Sequence, residues 1–163
     1  MAEGDAELAD LYREVLLDYF RDSSHKGRAE PADFSSAGVN PVCGDQIELT
    51  ASSEGGKDSE SRRLARIRYS GNGCVISQAS SAIMAEALEG ATLSEARGLI
   101  QAFKNMMLGS AEPSALPEPL EGAKSLDGVR RYPMRVKCAT LAWNTLLQAI
   151  GSANGADAKK PEN

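Results

Sequence analysis

Cys43, Cys74 and Cys138 are the only cysteines among the 163 residues, and each lies in a setting that suits a metal-binding thiolate. Cys43 sits in Asn40-Pro41-Val42-Cys43-Gly44-Asp45, Cys74 follows Gly71-Asn72-Gly73, and Cys138 sits in Arg135-Val136-Lys137-Cys138-Ala139-Thr140. Asp45 adds a carboxylate two residues beyond Cys43. Positions i and i+2 of an extended segment face the same side, so the two can grip one ion. Three thiolates and a carboxylate form a tetrahedral donor set of the kind zinc accepts, although thiolates also suit iron. The wide spacing excludes a zinc-finger knuckle, and it would equally fit buried cysteines that only pack as small hydrophobes. Gly44 and Gly73 permit tight backbone around an ion. Asp45 and Lys137 place charges beside two of the thiols, poor neighbours for a cysteine in an apolar core.

The elements that must carry these groups are legible from periodicity. Leu8, Leu11, Tyr12, Val15, Leu16, Tyr19 and Phe20 recur at helical spacing and predict an amphipathic N-terminal helix. Arg21 to Gly38 is polar, carries Gly27 and Pro31, and reads as a connecting loop. Ile47 and Leu49, then Ala65, Ile67 and Tyr69, alternate with polar residues and predict two antiparallel strands. Residues 52–58 form the loose turn between them, and Gly71-Asn72-Gly73 ends the second. Helical character returns from Ile76 to Leu88. Thr92-x-x-Glu95 is a capping box opening a further helix that Gly109 ends. The Pro-rich stretch from Ser110 to Gly128 carries Leu116, Leu120 and Leu126, with Val129 just beyond, and should pack down. Pro133 fits the first turn of the last helix. The expected class is α+β, a small antiparallel sheet of two or three strands packed against helices. Residues 1–9 are expected as a flexible leader, 10–150 as the domain and 151–163 as a disordered tail.

Composition narrows the function. Hydrophobic residues make up 42%, enough for a core without help from a metal. A net charge of −5 and 5% aromatics argue against a nucleic-acid surface. No apolar run reaches the ~20 residues of a membrane span. The acidic start lacks the pattern of a secretory signal, so the chain is expected in the cytoplasm. There an odd number of cysteines favours thiol or metal chemistry over disulfides. His25, the single histidine, is expected on the surface, and Trp143, Met84, Met106 and Met107 in the core. Arg62, Arg63, Arg66 and Arg68 form a basic strand edge. Ser77, Ser80 and Ser81 have no histidine nearby in sequence to act as base, so serine hydrolase chemistry is unsupported.

Four motifs in order, Tyr12-Arg13-Glu14-Val15, Asn40 to Asp45, Gly73 to Ser80, and Arg135 to Trp143, resemble the U-type iron–sulfur assembly proteins. The resemblance spans roughly residues 10–150 and is nearest the SufU branch. IscU-like scaffolds carry a histidine immediately before their third cysteine, where this chain has Lys137. They also lack the extra segment of SufU-like proteins, which here falls within about Lys104 to Gly128. One departure is Ser23-Ser24-His25-Lys26-Gly27, which replaces the family's usual Asn-Pro-Arg-Asn-x-Gly.

This resemblance implies a SufE/IscU-like fold and zinc held by Cys43, Asp45, Cys74 and Cys138. Lys137 and Arg135 would offset the negative charge of that ligand set. It further implies a sulfurtransferase that accepts persulfide sulfur from a SUF-type cysteine desulfurase and supplies a downstream SUF scaffold complex. Cys43, in the loop after Pro41, is the expected acceptor. The rival expectation is a scaffold that assembles a [2Fe–2S] cluster on the same residues, and a third is a structural zinc domain that only binds partners.

Overall fold

In a computed structural model the chain is described over residues 2–153, with side chains over 10–151. Three strands, β1 (Phe34–Asn40), β2 (Asp45–Glu54) and β3 (Arg63–Asn72), form an antiparallel sheet in the order β1-β2-β3. Four α-helices, α1 (Ala2–Arg21), α2 (Val75–Leu88), α3 (Leu93–Met107) and α4 (Pro133–Ala153), pack with it. The α+β expectation is met, with helix α4 lying on β1 and β2. Among the described residues, no helix is long and apolar enough to cross a membrane.

β1 corrects the expected loop from Arg21 to Gly38. Its inward positions are Phe34, Ser36, Gly38 and Asn40, a series with one apolar side chain, so alternation gave no signal. The strand is placed by pairing, with Gly38 opposite Ile47 and Asn40 opposite Asp45. Gly38 also lets α4 approach, because a Cβ there would fall on Thr145 Oγ1 and press on Leu141 Cδ1.

The hairpin between β2 and β3 is longer and less regular than alternation predicts. β2 continues to Glu54, and β3 runs through Gly71 to Asn72 instead of stopping at the glycine. Ser52 pairs with Arg66 but Ser53 with Leu64, so Ala65 is the extra residue of a β-bulge. The bulge turns both Leu64 and Ile67 into the core, three residues apart, and leaves Ala65 half-buried.

The helices meet around Trp143, which is fully buried. Its ring stacks on Phe103 of α3 at 3.9 Å between centroids and 8° between planes. Trp143 Nε1–H donates to Ser80 Oγ of α2 at 2.8 Å, and Ser80 Oγ–H donates to the Ala139 carbonyl. One polar chain therefore fixes the α2–α4 crossing inside an otherwise apolar core. Met84, Met106 and Met107 are buried as expected. Thr92 and Glu95 cap α3 reciprocally, and Gly109 follows its end at φ 87°. The proline-rich connection folds down as a kinked 3-10 helix over Glu118–Arg131 that buries Leu120, Ala123, Leu126 and Val129.

Further expectations change. Residues 2–9 continue the backbone of α1 where a flexible leader was expected. Leu11, assigned to the apolar stripe, is 58% exposed, while Tyr12, Val15, Leu16, Tyr19 and Phe20 are half-buried. α4 runs on to Ala153; positions 154–163 of the expected tail lie outside the described residues.

His25 is not a free surface residue either. Its side chain is 15% exposed, with Nε2 at 3.2 Å from Glu89 Oε1 and Nδ1 at 3.2 Å from Ser24 Oγ. Glu89 also accepts from Arg68 at 2.7 Å and from the Ile67 N–H at 2.9 Å. The basic strand edge is accordingly broken up: Arg68 faces Glu89, Arg62 donates to Ser53, Arg63 donates to the Gly90 carbonyl, and Arg66 is exposed.

Burial by itself would raise the Glu89 carboxyl. The hydrogen bonds from Ile67 and Arg68, with His25 beside them, outweigh it and hold the group below the usual range. A depressed carboxylate stabilises the fold above its unfolded pKa, and the contribution is lost as pH falls through the folded value. Glu89→Gln is expected to cost about 1–3 kcal/mol in urea unfolding at pH 7. The difference from the unaltered chain should shrink on acidification through the carboxylate range. A pH-independent difference would show that packing, not charge, is what Glu89 provides.

Candidate metal and sulfur-transfer site

The site is assembled at one end of the sheet from three element boundaries. Residues 41–44 form the tight turn between β1 and β2, closed by the Gly44 N–H donating to the Asn40 carbonyl at 2.8 Å, with Gly44 at φ 76°. Cys43 is exposed at this turn. Asp45, the first residue of β2, is 1% exposed. Its Oδ1 accepts the Cys74 N–H at 3.0 Å, and its Oδ2 is buried without a hydrogen-bond partner.

Cys74 is half-buried and occupies the N-cap of α2, where its carbonyl accepts from the Gln78 N–H at 3.0 Å and the Ser77 hydroxyl at 3.2 Å. Gly73 precedes it in a cramped space: a Cβ there would strike Ser77 Oγ and lie 3.1 Å from Asp45 Oδ1. Cys138, in the second turn of α4, is 1% exposed. Its Sγ lies 3.2 Å from Cys43 Sγ and 3.6 Å from Asn40 Nδ2. Chain segments far apart in sequence thus converge because the sheet turn, the cap of α2 and the start of α4 meet at one point.

Cys43, Asp45 and Cys138 each offer a ligand atom within 4.8 Å of the others. Cys74 stands outside that mutual set, joined to it through its backbone N–H, which donates to Asp45 Oδ1. The Cys138 thiol is pushed up in pKa, first by burial, then by the nearby Asp45, Cys43 and Cys74 side chains.

The donor set fits a thiophilic dication. Tetrahedral zinc with Zn–S near 2.3 Å places sulfurs roughly 3.8 Å apart, a spacing compatible with this cluster. Asp45 Oδ2 supports the fit independently, since a buried carboxylate oxygen without a partner is a ligand atom awaiting a cation. Lys137 and Arg135 are exposed on α4, and among the described residues no side-chain hydrogen bond or ion pair links either to the four candidate ligands.

Asn40 is the residue that sequence reasoning left without a role. It is 5% exposed, accepts the Val42 N–H at its Oδ1 at 3.3 Å, and donates from Nδ2 toward Cys138. An asparagine before proline signals a turn, but nothing local reveals a contact to a sulfur so distant in the chain.

The NifU-like N-terminal domain family matches residues 11–159. The iron–sulfur cluster assembly scaffold protein IscU of Streptococcus pyogenes is 37% identical over 89% of this chain and 86% of its own length. The zinc-dependent sulfurtransferase SufU of Bacillus subtilis is 31% identical over 93% of this chain and 97% of its own. The crystal structure of a putative iron–sulfur cluster assembly scaffold protein for the SUF system from Fervidobacterium islandicum superposes with a TM-score of 0.71 at 33% identity. It covers 84% of this chain and 94% of that one. With its four ordered motifs, its sheet-and-helix frame and its converging cysteines, the chain belongs to the IscU/NifU-like family, in which SufU-type proteins are among its relatives.

Proposed function

We propose that this protein is a zinc-dependent sulfur acceptor in cytoplasmic iron–sulfur cluster assembly. Cys43 takes sulfane sulfur from the persulfide of a SUF-type cysteine desulfurase and delivers it to a downstream SUF scaffold complex. The observation that carries the reading is the gradient of exposure across the cluster: Cys43 is exposed on a turn, Cys74 half-buried, and Cys138 and Asp45 buried. A partner's persulfide can reach Cys43 without unfolding any element. Cys43, Asp45, Cys74 and Cys138 would hold the zinc. Bound zinc supplies a redox-inert positive charge that favours deprotonated thiols near neutral pH.

In the transfer, the Cys43 thiolate attacks the outer sulfur of the donor persulfide. The new S–S bond forms on Cys43, the donor's S–S bond breaks, and the donor cysteine leaves as a thiolate carrying the electron pair. No net oxidation occurs. Cys138, on α4, and Cys74, at the cap of α2, stay with their helices while the turn carrying Cys43 meets the partner.

A second reading, cluster scaffold, is favoured by the names of the streptococcal and Fervidobacterium relatives. The two separate in native mass spectrometry before and after incubation with the desulfurase and free cysteine. The relay gives one zinc retained and one sulfur added, mapped to Cys43 after digestion. Iron and inorganic sulfide gained together, with zinc lost, would overturn it in favour of the scaffold.

A further inference from the structure

We propose that Asn40 is the positioning residue that directs incoming sulfur to Cys43 and away from Cys138, through an N–H···S hydrogen bond to the buried sulfur. This inference rests on Cys43 being the acceptor. The two thiols are close competitors, with sulfurs 3.2 Å apart. Exposure distinguishes them at first contact, but a persulfide brought to Cys43 is within reach of both, so a second device must favour one of them.

Asn40 has the geometry for that. It is the last residue of β1, pairs with Asp45 across the turn, and is 5% exposed. The two ends of its amide do different work. Oδ1 accepts the Val42 N–H at 3.3 Å, while the Asn40 backbone carbonyl accepts the Gly44 N–H at 2.8 Å. Asn40 therefore holds the turn on both sides of Cys43. Nδ2 points to Cys138 Sγ at 3.6 Å.

The orientation of the amide follows from its partners. The Val42 N–H can only donate, so it requires the oxygen end, and the nitrogen is left facing the sulfur. With a metal bound, Cys138 would be a deprotonated ligand, and a thiolate accepts an N–H better than a thiol does. In that state the hydrogen bond draws density from the Cys138 lone pairs and lowers its nucleophilicity; the donor that reaches Cys43 is the Cys138 thiol itself, which gives up that proton when it binds a metal. Cys138 is thereby kept as an anchor, and the same side chain presents Cys43.

Cadmium-113 NMR of the metal-loaded chain tests the bond directly. A through-bond correlation between the Asn40 side-chain amide proton and the cadmium, carried by the Cys138 sulfur, is expected. Two variants test the consequence. Asn40→Asp keeps the oxygen that accepts from Val42 and removes the N–H donor, whereas Asn40→Ala removes both. With cobalt(II) loaded, both should shift the thiolate-to-metal charge-transfer band to lower energy. After incubation of the zinc-loaded chain with desulfurase and cysteine, the share of sulfur mapped to Cys138 should rise, by about threefold for each tenfold gain in thiolate basicity at a Brønsted slope of roughly 0.4–0.5.

Cadmium bound by the cysteines without the correlation would overturn the inference and leave the sulfur-acceptor reading standing. So would variants whose sulfur remains on Cys43 in the unaltered proportion. Should neither variant fold, the correlation in the unaltered chain decides alone. Cysteines that bind no cadmium, or an unaltered chain that takes up no sulfur at all, would overturn both readings.

Discussion

Cys43→Ser is expected to lose almost all sulfur acceptance while leaving the metal-free fold as stable as before. Sulfur transfer needs a thiolate at the point of contact, and serine offers a hydroxyl that stays protonated at neutral pH and is a poor nucleophile toward sulfur. Deleting the attacking group should lower persulfide formation by about three orders of magnitude or more, to a background set by Cys74 and Cys138. Stability should change by less than about 0.5 kcal/mol in the metal-free state, as for other exposed positions away from the core. Cys43 is exposed on a turn whose closing hydrogen bonds, from the Gly44 and Val42 N–H groups to Asn40, involve no atom of the cysteine side chain.

Cys138→Ser makes the contrast. It alters a buried position of α4 next to Ala139 and Ala142, so it is expected to perturb metal binding and the fold before it perturbs chemistry. Persulfide mapping by mass spectrometry, with circular dichroism melts in parallel, separates the two. Transfer that survives Cys43→Ser but disappears in Cys74→Ser, with metal and fold intact, would move the acceptor role to Cys74.

Much of the frame that carries these thiols is written locally. The Thr92–Glu95 capping box, Pro133 at the head of α4 and the helix stop at Gly109 each depend on a few neighbouring residues, and each appears where the sequence places it. β1 was hidden because it is held by pairing with β2 and by the approach of α4 over Gly38, neither of which leaves a periodic trace. The bulge at Ala65 broke the alternation that should have marked the inner face of β3. His25 gave no sign of burial because its partner, Glu89, lies at the far end of α2.

The same division runs through the site. The candidate ligands are recognisable by type, and the structure brings Cys43, Asp45 and Cys138 together, with the Cys74 N–H on Asp45. The graded exposure of the thiols, the orphaned oxygen of Asp45 and the bridging amide of Asn40 are products of packing. Lys137 and Arg135, near Cys138 in sequence, are both exposed on α4, so a charge offset from them would act through space and not by contact.

Asp45 gives the second large effect, because it ties the metal to the stability of the fold. With metal present at 100 to 1,000 times its dissociation constant, binding to the native state alone stabilises by about 3–4 kcal/mol. At roughly 2–4 °C per kcal/mol for a domain of this size, a chelator should lower the melting temperature by about 6–16 °C. The metal-free protein retains a carboxylate that is 1% exposed, with Oδ1 satisfied by the Cys74 N–H and Oδ2 by nothing. Asp45→Asn keeps an oxygen for that N–H and removes the buried charge. Its metal affinity should fall by about tenfold to a hundredfold or more, at least as far as for loss of a group supporting a ligand. Its metal-free form should nevertheless melt above the metal-free unaltered chain, since an unpaired buried charge costs more than a neutral amide. The expected order is therefore metal-bound unaltered chain, metal-free Asn variant, metal-free unaltered chain. If the last two are reversed in calorimetry under chelator, the Asp45 charge is not a cost to the empty site. The cation would then be needed for ligation alone, and the link between metal and fold would have to run through the cysteines.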